Sequence, residues 1–464
     1  MLPAAEISID ATFLGSGYFP CWLHGLSPIH ITLVAILVTV ITSMYRFRHQ
    51  RPVYLVDYAC FRPISKYRYP KATVLEHAHL APFYDVSSAQ FIERILKRSG
   101  LGDETNAPAS ILYLLPYGSL DDARDEVEIV LVSAVDDLLS KTRINTDAVD
   151  ILIANCGAFS PTPAIADMII NKYKLRNDIR VINLSGMGCG AGLISLGLAR
   201  DLLQRMRWGS KALVVSIETT TPNFYVGKKR SMLLTNILFR MGGFAALLST
   251  SRTKARFRLM KVVRTLTSAQ DRSYRCVYQE NDDEGHMGVN LSKDLTSVAG
   301  DTLRLNIITI GRHFLPTIYK FKYLFSVTLT KMFNAKISSY TPNFCTAFEH
   351  FCIHAGGSAV IDSVQKSLNL SDKLAEPSRM TLHRFGNQSA ASVWYELAYI
   401  EAKGQMQQGD KVFMIGFGAG YECTTAVWLC GEPSSSGTDG PWAECIHRYP
   451  VDVARAAYKP NSNS

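Results

Sequence analysis

The residue best suited to do chemistry is Cys189, which lies in the run LSGMGCGAGLIS. A strand-like pattern precedes this run and a helical pattern follows it, so the cysteine is predicted at the start of a helix. The first N–H groups of a helix are unpaired and its dipole is positive there, so we expect a lowered thiol pKa. Flanking glycines let a substrate carbonyl approach the backbone. The pattern predicts a nucleophile that accepts acyl groups; a small, buried, inert cysteine is the alternative.

Two other motifs overlap this turn. Gly186, Gly188 and Ala191 match the dinucleotide fingerprint GxGxxG/A. That fingerprint requires an acidic residue about twenty positions further on, and the nearest acid at a strand end, Glu218, comes late. A nucleophile elbow with cysteine in place of serine fails, because Met187 and Ala191 occupy the glycine positions. A dinucleotide-dependent reductase is therefore a remote alternative.

Partners for the thiol are expected in the second half of the chain. The motifs HFCIHAGG and LHRFGN contain His350, His354, His383 and Asn387, whereas the whole chain has 11 histidines. A single histidine is usually structural, but two such motifs opposite a cysteine turn indicate a shared site.

Two stretches of the chain show the same order of patterns, which indicates an internal duplication. The first is predicted as strand 150–155, helix 164–173, strand 180–184, the Cys189 turn, helix 193–206 and strand 212–217. The second is predicted as strand 349–353, helix 359–368, a short strand at 381–382, the turn HRFGNQSAAS, a helix to 402 and strand 411–415. Such alternation is typical of a mostly parallel sheet covered by helices. Gly188-Cys189 then corresponds to Gly386-Asn387, so we expect two helix N-termini to converge on one cleft.

The N-terminal segment is unusually apolar. Residues 11–45 contain no Asp, Glu, Lys or Arg, and 29–45 are almost entirely apolar or Thr. This is about the minimum length for a helix that crosses a bilayer. Arg46, Arg48 and Arg51 follow the segment, and the positive-inside bias keeps the bulk of the chain in the cytosol. We therefore predict a membrane anchor in region 1–50, with a buried core helix as the alternative.

Composition limits the remaining possibilities. Ten cysteines without a CxxC pair predict neither a zinc site nor a disulfide framework, and they indicate a reducing compartment. The net charge of +9 is modest for 464 residues and suits a solvated face, an anionic ligand or an acidic membrane surface. Segment 314–333 mixes aromatic residues with lysines and is predicted either as a membrane-interface helix or as a core-facing one.

With these motifs in view, the chain resembles plant 3-ketoacyl-CoA synthases. The resemblance rests on VYLVDYACFRP, NLSGMGCGAG, RSMLLTNILFRMGG, GVNLSKDL, FCIHAGGSAVID and LHRFGN, and it covers nearly all of the chain after the N-terminal segment. It implies a thiolase-like, duplicated α/β layered fold with an N-terminal transmembrane anchor. The two halves would be 51–300 and 301–455, followed by a loose tail at 456–464.

The resemblance also implies an activity. Family members condense a long-chain acyl-CoA with malonyl-CoA in very-long-chain fatty acid elongation, releasing CO2 and CoA. The catalytic set falls on Cys189, His354 and Asn387, with His350 and His383 at other important positions. His354 and Asn387 would stabilise the malonyl enolate, while N–H groups of Cys189 and of turn 416–420 would polarise the acyl carbonyl. No metal or organic cofactor is expected, because loss of CO2 drives bond formation.

Expected partners and location follow from the same resemblance. They are the two CoA substrates, the membrane, the elongase reductases and dehydratase, and a second copy of the chain as a homodimer, with no nucleic acid. The expected location is the endoplasmic reticulum membrane, with the catalytic part facing the cytosol.

Three departures from the family pattern leave alternatives open. Leu266 stands where family members have a histidine, Lys228 and Lys229 replace a less basic pair, and one span is found where two are usual. The first departure motivates a catalytically impaired paralogue that acts by associating with elongase subunits. A soluble type III polyketide synthase is a further alternative, because it shares the fold and the Cys-His-Asn set.

Overall fold

The computed structural model describes residues 28–48, 51–116, 118–319, 343–434 and 439–453. The chain divides into two compact units, one ending at Arg51 and one beginning at Pro52. The first contains helix α1 (Pro28–Arg48), whose side chains Ile29, Leu33 and Leu37 are exposed. Within the described residues, no helix meets the combined length and apolarity needed to cross a membrane. The anchor at 29–45 therefore stays a prediction.

The described residues of the second unit form eleven strands, together with helices of very different length. The strands are β1 (Val53–Cys60), β2 (Ile151–Cys156), β3 (Arg180–Ser185), β4 (Lys211–Ile217), β5 (Gly243–Ser249), β6 (Phe257–Leu266), β7 (Val277–Asn281), β8 (Met287–Leu291), β9 (His350–Ile353), β10 (Lys411–Gly418) and β11 (Glu422–Cys430). The helices are α2 (Lys71–Leu80), α3 (Val86–Leu96), α4 (Ala109–Leu112), α5 (Leu120–Thr142), α6 (Ile165–Tyr173), α7 (Ala191–Leu203), α8 (Arg230–Leu238), α9 (Asp271–Tyr274), α10 (Leu295–Phe314), α11 (Ser358–Leu368), α12 (Asp372–Phe385) and α13 (Ser392–Ala402).

Nine strands form one sheet in the order β3-β2-β4-β5-β1-β6-β11-β10-β9, and β7 and β8 form a separate hairpin. Only the pairs β2–β3, β2–β4 and β9–β10 are parallel. The prediction of a mostly parallel sheet is therefore wrong, and the sheet is mixed. A short connection explains one of the antiparallel pairs. Residues 419–421 join β10 to β11, and because this connection is too short for a crossover, the two strands are antiparallel.

The sheet order supports the predicted duplication. Strands β2, β4, β5 and β1 in the first half correspond to β9, β10, β11 and β6 in the second, and the two sets meet where β1 pairs with β6. Only β3 has no counterpart, because the short strand predicted at 381–382 lies inside α12 and that prediction is wrong. Buried Ala375, Ser378, Leu382 and Phe385 repeat at helical spacing, and that period outweighs the two-residue strand pattern at 381–382.

Helices α7 and α13 hold corresponding positions in the two halves. Leu193 and Leu196 of α7 and Trp394 and Tyr395 of α13 belong to one apolar core that also includes Phe244 of β5. The rings of Phe244 and Trp394 stack with centroids 4.6 Å apart. Burying each such side chain contributes about 1.5–3 kcal/mol. A shared core therefore fixes the starts of both helices.

Two predicted segments lie outside the described residues. Helix α10 ends at Phe314, and the described chain stops at residue 319 and resumes at residue 343, so most of segment 314–333 falls in the gap. The predicted tail 456–464 is also outside the described range.

Candidate active site

Cys189 lies where the sequence predicts it, between a strand and a helix. Strand β3 ends at Ser185, a 3-10 turn covers Gly188–Gly190, and α7 begins at Ala191. Gly188 has φ +60°, a left-handed conformation that favours glycine. A Cβ on Gly188 would lie 3.0 Å from the backbone nitrogen of Ala419, so this glycine also permits close packing of two turns.

Asn387 occupies the corresponding place in the second half. It follows Gly386, whose φ is +75°, and its backbone pairs with the segment after α8. The carboxamide has a defined orientation: Oδ1 accepts the Ser389 N–H at 2.8 Å, and Nδ2 donates to the Gly356 carbonyl at 3.3 Å. One hydrogen of the amide group remains for a ligand. This geometry suits a donor to a developing oxyanion.

His354 follows β9 directly and is 4% exposed. Its backbone N–H donates to the Ile415 carbonyl at 2.9 Å, which anchors the residue to β10. Within the described part of the chain, the ring Nδ1 is buried without a hydrogen-bond partner. Burial lowers the pKa of His354 to about 4, so the imidazole is neutral at physiological pH. A neutral imidazole can both accept and donate a proton.

One cavity of about 390 Å³ has Cys189, His354 and Asn387 among its lining residues. The structure therefore brings together the three residues that form the predicted catalytic set. Most of the remaining wall is apolar and includes Phe224, Phe239, Val277, Val289, Leu291 and Leu295. Such a wall suits a hydrocarbon chain attached to a reacting carbonyl.

The thiol pKa does not follow the sequence prediction. Burial, with a smaller contribution from the nearby Glu218 carboxylate, raises the pKa of Cys189 to about 12. A hydrogen bond with the Ser389 hydroxyl acts in the opposite direction. Removing the sulfur from water outweighs the partial positive charge at the start of α7, so the prediction of a lowered pKa is wrong for the resting site. The thiol needs a base to become a nucleophile.

Glu218 is a site residue whose position the sequence did not predict. It lines the cavity and is 7% exposed. Its carboxylate accepts the Ala158 N–H at 2.9 Å, the Gly157 N–H at 3.2 Å and the Ser389 hydroxyl at 3.0 Å. The available signal was an acidic residue directly after an apolar strand. Because protein donors occupy this carboxylate, a ribose-binding role for Glu218 is disfavoured, and with it the reductase alternative.

His350 and His383 lie away from the described cavity lining. His350 Nε2 contacts Asp410 Oδ2 at 2.9 Å. His383 Nδ1 contacts the Tyr449 hydroxyl at 3.2 Å, and burial lowers its pKa. The structure thus does not bring these two predicted catalytic residues to the cavity. The contact of His350 instead holds β9, which precedes His354. The contact of His383 holds the end of α12, which precedes Asn387.

Turn 416–420 has fewer N–H groups available to bind an oxyanion than the sequence predicts. The Ala419 N–H donates to the Met187 carbonyl at 3.1 Å, so it is not available to a substrate. This bond ties the turn after β10 to the Cys189 turn. Among the described residues, no group of three or more His, Cys, Asp or Glu side chains could hold a metal ion.

The structure shows where residues 228, 229 and 266, which depart from the family pattern, lie. Lys228 pairs with Glu284 at 3.4 Å and Lys229 with Glu280 at 2.6 Å, so both lysines contact the β7–β8 hairpin that forms part of the cavity wall. Leu266 ends β6 with 56% of its surface exposed, and it is not among the described cavity-lining residues.

Comparisons with known proteins identify the family of this chain. A family model described as FAE1/type III polyketide synthase-like protein matches residues 45–332, and the C-terminal model of 3-oxoacyl-[acyl-carrier-protein] synthase III matches 346–430. Among curated Arabidopsis thaliana proteins, 3-ketoacyl-CoA synthase 6 is 50% identical over 92% of this chain and 86% of its own length. 3-Ketoacyl-CoA synthase 5 is 49% identical over 92% and 87%.

Solved structures show the same fold at low sequence identity. A fungal type III polyketide synthase, ORAS, aligns with a TM-score of 0.64 and 16% identity, over 82% of this chain and 99% of its own. A type III pentaketide synthase from Neurospora crassa aligns with a TM-score of 0.62 and 15% identity, over 82% and 99%. At this identity the likeness concerns the fold alone.

Proposed function

Because this chain belongs to the 3-ketoacyl-CoA synthase family, we propose that it condenses an acyl-CoA with malonyl-CoA through Cys189, His354 and Asn387. The protein is a condensing acyltransferase of very-long-chain fatty acid elongation. One observation carries the assignment of residues: all three side chains line a single, mostly apolar cavity.

The first stage transfers the acyl group to the protein. His354 takes the proton of Cys189, and Sγ forms a bond to the acyl carbonyl carbon. The C–S bond to CoA then breaks, and CoA leaves as a thiol with that proton. The imidazole must be neutral to accept this proton, and burial favours the neutral form of His354. The Cys189 N–H, at the start of α7, is the donor proposed for the carbonyl oxygen.

The second stage extends the chain. The bond from malonyl-CoA to its carboxylate breaks, CO2 leaves, and the electron pair moves to the thioester as an enolate. The enolate carbon attacks the acyl group on Cys189, and the sulfur leaves as a thiolate that solvent protonates. His354 and the amide group of Asn387 stabilise the enolate oxygen, because negative charge develops there.

Condensation in membranes tests this proposal. Yeast microsomes that contain the protein are incubated with acyl-CoA and radiolabelled malonyl-CoA, and products are separated by chain length. Cys189→Ala is expected to abolish condensation, whereas Cys345→Ala, a change at an exposed cysteine outside the described cavity lining, is expected to leave it intact. Full activity in Cys189→Ala would exclude this residue as the nucleophile.

The same microsomes distinguish an active enzyme from an impaired paralogue. Since Leu266 is exposed and away from the described lining, Leu266→His is expected to change turnover by less than about twofold, as surface changes usually do. A sharp rise in turnover would instead support an impaired enzyme that acts through association with other subunits.

The chain is further proposed to be attached to the endoplasmic reticulum membrane through the apolar segment around α1, with the catalytic unit facing the cytosol. Exposed Ile29, Leu33 and Leu37 support attachment, since water is a poor solvent for such a row, and three arginines follow the segment. Retention in the pellet after carbonate extraction tests attachment, and protease sensitivity of the catalytic unit in sealed microsomes tests orientation.

A homodimer and contacts with the elongase reductases and dehydratase are proposals of the same kind. Strand β3 is an unpaired edge of the sheet with Val181 exposed, which suits pairing with a second copy. Cross-linking in microsomes followed by identification of the linked chains tests both.

A further inference from the structure

Arg240 is a buried cation in the wall of the active-site cavity. Its residue exposure is 2%, and it lines the cavity together with Tyr69 and Asn236. Nε donates to Thr105 Oγ1 at 3.0 Å, and Nη1 donates to the carbonyls of Phe239 at 2.7 Å and Asn236 at 3.2 Å. The guanidinium lies over the Tyr69 ring, 5.2 Å from its centroid. These contacts fix the group in one place.

The charge of Arg240 is not balanced by the protein. Among the described residues it forms no ion pair with a carboxylate, and its second terminal nitrogen, Nη2, has no hydrogen-bond partner. Arg256 is a useful contrast, because this part-buried arginine pairs with both Asp57 and Glu401. Burying a guanidinium without a counter-charge is costly. An unbalanced cation in a cavity wall therefore indicates an anion that arrives with the substrate.

The backbone of Arg240 is bonded to one of the proposed catalytic residues. Its backbone N–H donates to the Asn387 carbonyl at 2.8 Å, and the preceding residue, Phe239, forms a β-bridge with Asn387. Arg240 is thus next to the residue assigned to the malonyl thioester. The reacting end of an acyl-CoA has no charge, whereas the reacting end of malonyl-CoA ends in a carboxylate. The phosphates of CoA occur in both substrates.

We propose that Arg240 binds the free carboxylate of malonyl-CoA and thereby selects the extender unit. This inference rests on the proposed function. The free Nη2 can donate a charge-assisted hydrogen bond to a carboxylate oxygen, which is stronger than a hydrogen bond between neutral groups. The contact belongs to the ground state: as the C–C bond breaks, the carboxylate leaves as neutral CO2 and the negative charge moves to the enolate oxygen near His354 and Asn387.

A ground-state contact has a defined kinetic consequence. When an interaction is weaker in the transition state than in the ground state, its removal raises KM without lowering kcat. Removing the guanidinium is therefore expected to raise the KM for malonyl-CoA strongly, with little loss of condensation at saturating malonyl-CoA. Acylation of Cys189 by acyl-CoA alone, which precedes malonyl-CoA binding, is expected to proceed.

The experiment uses Arg240→Met and Arg240→Lys in the full-length protein in microsomes, with two readouts. Radiolabelled acyl-CoA without malonyl-CoA reports acylation of Cys189, and malonyl-CoA titration reports KM and kcat. For Arg240→Met we expect normal acylation and a KM increase on the order of tenfold or more. Arg240→Lys, which keeps the charge but not the donor at the position of Nη2, is expected to fall between Arg240→Met and the wild type.

Other results overturn the inference in distinguishable ways. An unchanged KM for malonyl-CoA in Arg240→Lys and Arg240→Met excludes a carboxylate contact. Equal losses in acylation and condensation assign Arg240 to CoA phosphates or to folding. A role in folding also follows if Arg240→Met does not fold and Arg240→Lys keeps the wild-type KM. If the wild-type protein is not acylated at Cys189, the proposed function itself fails.

Discussion

At the scale of single residues, two effects compete at Cys189. The start of α7 favours a thiolate, whereas burial and the Glu218 carboxylate favour the thiol, and the second pair prevails. The site thus holds a protonated nucleophile with a neutral base in the same cavity. A high pKa lowers the thiolate fraction of Cys189 and therefore its expected reactivity in the free protein.

The electrostatic role of Glu218 is measurable. In Glu218→Gln the negative charge beside the sulfur is lost, so the Cys189 pKa is expected to fall and alkylation by iodoacetamide at pH 8 to accelerate several-fold. Ser389→Ala removes a polar neighbour that lowers the Cys189 pKa, so alkylation is expected to slow. Equal rates in all three proteins would contradict the assigned neighbours.

His354 gives the protein a pH-dependent stability. Its folded pKa of about 4 lies below the usual value of about 6.5. Between these pH values the unfolded chain binds a proton that the folded protein does not, so this residue makes the folded state lose stability as pH falls from about 6.5 to about 4. The full difference is about 3 kcal/mol.

The comparison with His354→Gln isolates this contribution. The variant lacks the titrating group, so wild type minus variant melting temperature is expected to decrease between pH 7 and pH 4.5 while both proteins remain folded. A constant difference over that interval would exclude a neutral, buried imidazole in the folded state.

At the scale of elements, the β7–β8 hairpin connects surface charge to the cavity. Val277 and Val289 of the hairpin line the cavity, while Glu280 and Glu284 on the same hairpin segment pair with Lys229 and Lys228 before α8. The Tyr225 hydroxyl adds a third tie, since it accepts the Lys229 N–H at 2.9 Å and donates to Asp282. The wall around the acyl chain is therefore held partly by weak, partly exposed ion pairs.

Loosening this hairpin is expected to change the products. In the double variant Lys228→Gln/Lys229→Gln two surface ion pairs are lost, each worth about 0–1 kcal/mol. We expect a broader range of product chain lengths, with nearly unchanged melting temperature, measured by gas chromatography of the acyl products. Lys172→Gln, which breaks a similarly exposed pair with Glu128, is the matched control and is expected to keep the wild-type profile.

At the scale of the whole molecule, the catalytic residues come from both halves of one duplicated sheet. Cys189 precedes α7 in the first half, and His354 and Asn387 precede α11 and α13 in the second. All of them belong to the unit that begins at Pro52, which has its own core. Chemistry is thus confined to one unit, and the proposed membrane attachment to the other.

Deletion of residues 1–51 tests whether catalysis and membrane attachment belong to different units. Because the second unit contains the whole described cavity lining, the truncated protein is expected to accept an acyl group on Cys189. It is also expected to move from the membrane pellet to the supernatant after centrifugation. Acylation by radiolabelled acyl-CoA and immunodetection in the two fractions measure the outcomes; a truncated protein that stays in the pellet without aggregating would place attachment elsewhere.

Several features could be predicted from the sequence because they depend on local patterns. The position of Cys189 before a helix, the alternation of strands and helices, and the correspondence of Gly188-Cys189 with Gly386-Asn387 follow from glycine chemistry and apolar periodicity. Short-range spacing is enough for these predictions, since it reports backbone conformation and the buried face of each element. The choice of His354 and Asn387 among the candidate partners of Cys189 came instead from the family resemblance.

Other features were decided only by the tertiary structure. The direction of the Cys189 pKa shift depends on burial by distant segments and on Glu218, and the sequence shows neither. Strand β1 lies between β5 and β6, which are far from it in the sequence, and no local pattern predicts that pairing. His350, His383 and Arg240 illustrate the same limit: residue type suggests chemistry, but only the folded chain decides which side chains reach the cavity and which charges remain unbalanced, because electrostatics and solvation depend on position in space.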